Sequence, residues 1–154
     1  MSRLYLLDTN TVSYIAKGRS LAARARLEAL AEGEMACVSS VTEAELCYGL
    51  ARARASKSLE LAIEGLLLMA NVVPWGRAEA RVYGRLRNQQ EAMGKPLGSL
   101  DMMIAAHAVA LGATLVTSDL AFRNVRELLA VVDWASDLAA VKPTESGAAS
   151  RRSR

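Results

Sequence analysis

The sequence predicts an α/β fold, a three-layer α/β/α domain around a central, mainly parallel sheet of four to five strands. Three observations point there. Short apolar runs at Leu4–Leu7, Met35–Ser39, Val72–Trp75 and Thr114–Thr117 have the length and continuity of buried parallel strands. Stretches of helical length and periodicity separate them, the alternation that builds crossover units. Hydrophobic residues make up 52% of the chain and aromatics only 5%, so the interior must be filled by Leu, Ala and Val on helices and strands. A chain of 154 residues is one domain by length. Residues 1–134 read as that domain. Residues 135–154, small, polar and basic, read as a flexible tail.

Each element has its own signal. The first strand ends at Asp8-Thr9-Asn10, where Asn10 is a candidate cap for a helix over about Val12–Lys17 that Gly18 stops. Leu21, Leu27 and Leu30 mark a second helix, roughly Leu21–Ala31, closed by Gly33. After the second strand, Ser40-Val41-Thr42-Glu43 has the capping-box pattern and opens a helix through Leu46 and Leu50. Ser58–Ala70 is a strongly apolar helix. In the third strand, Val72–Trp75, Pro74 suggests the strand's end or a sheet edge. Arg77–Met93 reads as an amphipathic helix with Val82, Leu86 and Met93 inward, followed by a loop at Gly94–Gly98. Ser99 is a candidate cap for the next helix, which runs to Leu111-Gly112 and carries Asp101 in its first turn, where the helix dipole favours negative charge. A fourth strand, a short helix near Val125–Leu129 and a last strand at Ala130–Val132 complete the domain.

Charge and motifs narrow the function. The net charge is +3, but four of the 19 basic and two of the 16 acidic residues lie in 135–154, so the rest of the chain carries only +1. The basic balance is largely a tail effect and a weak pointer to a polyanion. Cys37 and Cys47 lie in apolar settings without metal-binding spacing and read as small buried hydrophobes in a reducing compartment. The opening apolar run breaks at Asp8, so it is no signal peptide, and no stretch approaches membrane-spanning length. A cytoplasmic protein is expected. No Gly-rich phosphate loop and no nucleophile elbow is present. His107, the single histidine, projects about 240° around the helix from Asp101. It is expected to pack or cap within the core and not to form an Asp101-oriented base.

What remains is acids at places where α/β sheets bind ligands, outside the carboxyl ends of strands. Asp8 ends the first strand, Asp119 follows the fourth, and Asp101 opens a helix. Glu43 and Glu45 lie roughly 200° apart on their helix and cannot share one site; Glu43 has a capping role available. Clustered carboxylates raise one another's pKa, and a bound cation offsets that repulsion. Oxygen ligands without histidine or thiolate suit Mg²⁺ or Mn²⁺.

Leu7-Asp8-Thr9-Asn10, Thr42-Glu43-Ala44-Glu45-Leu46-Cys47-Tyr48-Gly49, Leu100-Asp101 through Ala108, and Leu115-Val116-Thr117-Ser118-Asp119 together resemble the four motifs of the PIN-domain ribonucleases. Their order and spacing, over about Leu4–Trp134, are similar to those of the VapC-type toxins of bacterial toxin–antitoxin pairs. The resemblance implies a Mg²⁺- or Mn²⁺-dependent endoribonuclease with catalytic acids Asp8, Glu45, Asp101 and Asp119. Asp8 and Asp101 would be the principal metal ligands. It selects Glu45 over Glu43, because the family's acid precedes Leu-x-Tyr-Gly. Thr9, Asn10 and Thr117 would orient ligands or bind phosphate. It also implies an RNA substrate, a homodimer and a small VapB-type antitoxin whose C-terminal segment covers the acidic groove. One departure concerns Asp119: many relatives carry Asn-Asn or Asn-Asp and then Glu-Phe here, whereas this chain has Ser118-Asp119 and Ala121-Phe122-Arg123. Two other readings of the residues stand beside this one. One is a catalytically silent binding module of the same fold. The other is a metal-dependent nuclease or phosphatase acting on DNA or small phosphoesters.

Overall fold

The computed structural model describes residues 2–136; most of the expected basic tail, residues 137–154, lies outside them. Among the described residues, five strands form one sheet in the order β3-β2-β1-β4-β5. They are β1 (Arg3–Leu7), β2 (Glu34–Ser39), β3 (Val72–Val73), β4 (Thr114–Val116) and β5 (Val131–Val132). Every neighbouring pair is parallel, with Leu6 opposite Cys37 on one side and Leu115 on the other. The helices are α1 (Thr9–Ala16), α2 (Leu21–Glu28), α3 (Ser40–Ala53), α4 (Lys57–Ala70), α5 (Arg77–Ala92) and α6 (Ser99–Leu111), with a 3-10 turn at Leu120–Val125. The α/β sandwich expected from the alternation of elements is therefore the fold. β3 lies at the sheet edge and stops at Val73, before Pro74, shorter than the expected Val72–Trp75.

The pleat of β1 explains the three layers. Tyr5 and Leu7 project to one face of the sheet and Leu6 to the other, because successive side chains alternate. Tyr5 and Leu7 join Val12, Ile15, Leu46, Ile63 and Trp134 in one core. Leu6 joins Cys37, Leu115, Phe122 and the buried face of α6 in the second. Ala105, Ala106 and Ala108 are fully buried, so α6 approaches the sheet closely. That approach sets the position of Asp101. No described helix is long and apolar enough to cross a membrane.

Several local expectations are corrected. Asp8, not Asn10, caps α1, its carboxylate accepting from the Thr11 N–H. Ser39, not Ser40, caps α3; the Ser40 hydroxyl instead accepts from the Trp75 backbone N–H at 3.0 Å. The Ser40–Glu43 capping box therefore does not form. Gly98 occupies the cap position of α6 and makes no side-chain bond there, in place of Ser99. Helical structure after β4 begins at once, at Leu120, and not near Val125, because Asp119 caps the turn itself. Met93 and Cys47 are exposed, while Gln90 is fully buried. Gln90 takes the inward place because it continues the face of Val82 and Leu86, whereas Met93 is the C-cap of α5; with its amide nitrogen turned toward them, Gln90 donates to the carbonyls of Lys95 and Asn124 at 3.1 and 2.8 Å. A polar side chain that ties two loop carbonyls is buried at little cost.

Candidate acidic active site

Asp8 leaves the carboxyl end of β1 and is only 3% exposed. Its backbone turns from extended to helical there, so its side chain caps α1: Oδ1 accepts from Thr11 N–H at 2.7 Å. The other oxygen accepts a short hydrogen bond from the Thr117 hydroxyl. Thr117 follows β4, the strand paired with β1, and its Oγ1 also accepts from the Asp119 N–H at 3.0 Å. That bond leaves the Thr117 proton directed at Asp8. Asp119 in turn accepts from Ala121 N–H at 2.9 Å and starts the 3-10 turn. Asp8, Thr117 and Asp119 thus form one relay across the β1–β4 boundary.

Glu45 approaches from α3. Thr9, the first residue of α1, donates its hydroxyl to Glu45 Oε1 at 2.8 Å and lies 3.2 Å from the Thr42 hydroxyl. Glu43 faces away, toward a separate cleft with Cys47 and Leu67. The choice of Glu45 over Glu43 therefore has a geometric basis, though not the capping role assigned to Glu43. Asp101, in the first turn of α6, is half-buried.

The charges of the other three acids act on Asp101. Burial, followed by the charges of Asp119, Glu45 and Asp8, pushes the Asp101 carboxyl up to about 6. Burial also raises Asp8, opposed by the hydrogen bonds from Thr11 and Thr117 and assisted by Asp119. Asp101 therefore senses each of the other three acids. Among the described residues, no three carboxylate, imidazole or thiolate groups are gathered tightly enough to cage an ion by themselves. The donor set still has the chemistry of a hard-cation site. Mg²⁺ in particular is commonly held by one or two carboxylates while it keeps several waters.

Of the supporting residues expected from the sequence, Thr9 and Thr117 bond to the acids. Asn10 is exposed and makes no side-chain hydrogen bond among the described residues; it lines a cleft of about 240 Å³ with Thr9 and Glu45. Thr11 and Thr42 were missed. Thr11 carried a usable signal, since an aspartate three residues before it is an effective N-cap arrangement. Thr42 gave none, because only the crossing of α1 over α3 places it. His107 is buried, as expected, and its Nδ1 lies 2.9 Å from the Ser39 hydroxyl.

Comparison with known proteins bears on the family and the fold. Residues 5–128 match the family model of the PIN domain. The tRNA(fMet)-specific endonuclease VapC of Shigella flexneri is 33% identical over 135 residues, spanning 84% of this chain and 97% of its own. Among solved structures, VapBC2 from Rickettsia felis, bound to a DNA fragment from its promoter, superposes with a TM-score of 0.79 at 29% identity, covering 85% of this chain and 98% of that one. VapBC-1 from nontypeable Haemophilus influenzae gives 0.74 at 31% identity over 85% and 98%.

Proposed function

Because the chain belongs to the PIN-domain family, beside the VapC ribonucleases that it resembles over 84% of its length, we propose that it is a divalent-metal-dependent endoribonuclease, the toxin of a toxin–antitoxin pair. The observation that carries the reading is Asp101, raised to about 6 by burial and by three other acids drawn from three other elements. Such a grouping opposes folding unless a positive ligand is its purpose. Asp8 and Asp101 are the residues that would hold Mg²⁺ or Mn²⁺. When bound, that ion supplies positive charge to the phosphodiester and acidity to water. Thr117 and Thr11 keep both Asp8 oxygens in a fixed direction, so the site needs little rearrangement to receive its ligand. Thr9 holds one Glu45 oxygen and turns the carboxylate toward the acids. Asp119, tied to the same Thr117 hydroxyl, completes the negative rim. Glu45 and Asp119 act on water, accepting hydrogen bonds from it and orienting it for in-line attack on phosphorus.

The names of the relatives support the RNA substrate and the antitoxin, and the family resemblance of the sequence suggests the homodimer. An RNA substrate, a VapB-type antitoxin and a homodimer are the assembly we propose. The test is cleavage of total bacterial RNA by the antitoxin-free protein in Mg²⁺, Mn²⁺ and EDTA, with Asp101→Asn in parallel. Cuts that appear with metal and disappear in EDTA and in the variant support the reading. Metal binding without cuts shifts the substrate to DNA or small phosphoesters. Neither cuts nor metal binding leaves a binding module.

A further inference from the structure

Thr42 is fully buried, yet it carries a hydroxyl. A buried hydroxyl costs stability unless it is hydrogen-bonded, and valine would fill the same space without that cost. A helical threonine usually donates to the carbonyl one turn back. Here the residue one turn back, Val38, belongs to β2, because Thr42 is only the third residue of α3. Among the described residues the Thr42 hydroxyl meets only the Thr9 hydroxyl, at 3.2 Å.

One arrangement of protons satisfies the group. Thr9 has a single hydroxyl proton and two acceptors in reach, Glu45 Oε1 at 2.8 Å and Thr42 Oγ1 at 3.2 Å. The carboxylate is the nearer acceptor and the charged one, so it takes the proton. Thr42 then donates to Thr9. The result is a chain of donors, from Thr42 to Thr9 to Glu45, in which each bond polarises the next. Asp8 is held by a chain of the same form: the Asp119 N–H donates to Thr117, and Thr117 donates to Asp8. In both, a threonine hydroxyl pinned from behind delivers its proton to an acid of the site. The two chains share no residue.

Pinning matters because the Glu45 side chain is long. Several rotatable bonds separate its carboxylate from α3, and the Thr9 bond fixes one oxygen. The other oxygen makes no hydrogen bond among the described residues and is free to accept from water. Thr9 directs the carboxylate only while its own hydroxyl keeps one rotamer, and a helical threonine has two within easy reach. Thr42, three residues before Glu45 on the same face of α3, supplies the contact that selects one.

We infer that Thr42 is a positioning residue of the acidic site: through Thr9 it sets the direction of the Glu45 carboxylate, and with it the water that attacks phosphorus. The inference rests on the nuclease reading for the reaction it serves. The hydrogen-bond chain itself does not depend on that reading.

The test compares the full wild-type chain with Thr42→Val, Thr42→Ser, Thr9→Val and the double valine variant, in two experiments. The first is single-turnover cleavage, in Mg²⁺ or Mn²⁺, of a labelled bacterial RNA that wild type cuts. Thr42→Val should lower the maximal rate about 10- to 100-fold, the usual cost of a lost supporting bond around a metal site, with RNA and metal affinities unchanged. Thr42→Ser keeps the donor and should restore most of the rate. Thr9→Val should cost a similar factor, and the double variant little more, because both break one chain. The second experiment reads the Thr9 side-chain rotamer in the metal-free protein from three-bond NMR couplings of its methyl carbon. One rotamer is expected in wild type and Thr42→Ser, and averaging over two in Thr42→Val. Circular dichroism checks each fold; Thr42→Cys, close in volume and a weak donor, takes the place of a valine variant that does not fold. A wild-type rate in Thr42→Val, an equal loss in Thr42→Ser, additive losses, a loss carried by metal or RNA affinity, or an unaltered Thr9 rotamer overturns the role of Thr42. If wild type cuts no RNA, the nuclease reading falls, and the couplings alone judge the chain from Thr42 to Glu45.

Discussion

Burial and the charges of Asp119, Glu45 and Asp8 raise the Asp101 carboxyl from an ordinary 3.8 to about 6. Between those values the folded chain binds more protons than the unfolded one, so stability falls as pH rises through that window and the penalty is complete above about 6. Asp101→Asn removes the penalty. It should therefore raise the melting temperature of the metal-free protein at pH 7–8, and the gain should shrink to nothing below about pH 4. A scanning-calorimetry pH series checks this; a variant less stable at neutral pH would show that Asp101 is not under repulsion. Thr117 makes a different prediction. Its hydroxyl donates to Asp8 and accepts from the Asp119 N–H, so Thr117→Val keeps the volume but removes both bonds. RNA cleavage should fall about 10- to 100-fold, the usual cost of a lost supporting bond at a metal site. Thr117→Ser should restore most of the rate, and far-UV circular dichroism should be unchanged in both.

At the scale of elements, the start of α3 is joined to the second half of α6. Ser39 caps α3 through the Val41 N–H at 3.1 Å and meets His107 of α6 at 2.9 Å. His107 Nε2 has no partner among the described residues, and burial lowers its pKa, opposed by Glu79. A neutral imidazole with one bond is what the core holds. Ser39→Ala removes the cap and that bond together, at a cost of about 2–4 kcal/mol. The shift of the urea midpoint measures it, and Ser39→Ala with His107→Leu should recover part of the loss.

The same helices show what could be read in advance. The strands, and the acids at their ends, were legible because apolar runs and turn residues are local signals. Which serine caps α3 was not legible: the capping-box pattern favoured Ser40, but Trp75 and His107, distant in the chain, assign the two serines their roles. Glu45 was chosen by family resemblance, and the crossing of α1 that seats Thr9 against it has no sequence signature. The pattern gave Met93 an inward position that Gln90 takes, since Gln90 continues the face of Val82 and Leu86 while α5 ends before Met93, its C-cap. Cys47 reads as buried only if residue type is weighed without the helix face it occupies.

Over the whole molecule, the acids lie where the two cores meet at the carboxyl edge of one sheet. Asp8 extends from β1, between the layers; Asp119 follows β4; Asp101 belongs to the α6 layer; Glu45 comes from α3. A ligand that draws them together binds only the folded chain, because no short segment contains the site. Its binding energy must then appear as stability of the entire domain, as RT ln(1 + [L]/Kd), about 2.7 kcal/mol at a hundredfold excess over Kd. Adding Mg²⁺ or Mn²⁺ should raise the urea midpoint progressively with metal concentration. Asp8→Asn with Asp101→Asn should abolish the rise. Trp134 is buried in the core opposite α6, edge-on to Tyr5 at 5.1 Å. In a Trp75→Phe background, its fluorescence should report the same metal-dependent midpoint as far-UV circular dichroism. A midpoint that moves in the circular dichroism signal but not at Trp134 would mean that the two layers unfold separately, with the metal holding only the α6 side. Coincident shifts are expected because β1, carrying Asp8, contributes Tyr5 and Leu7 to one core and Leu6 to the other, so neither layer can open without disturbing the strand that ends in the site.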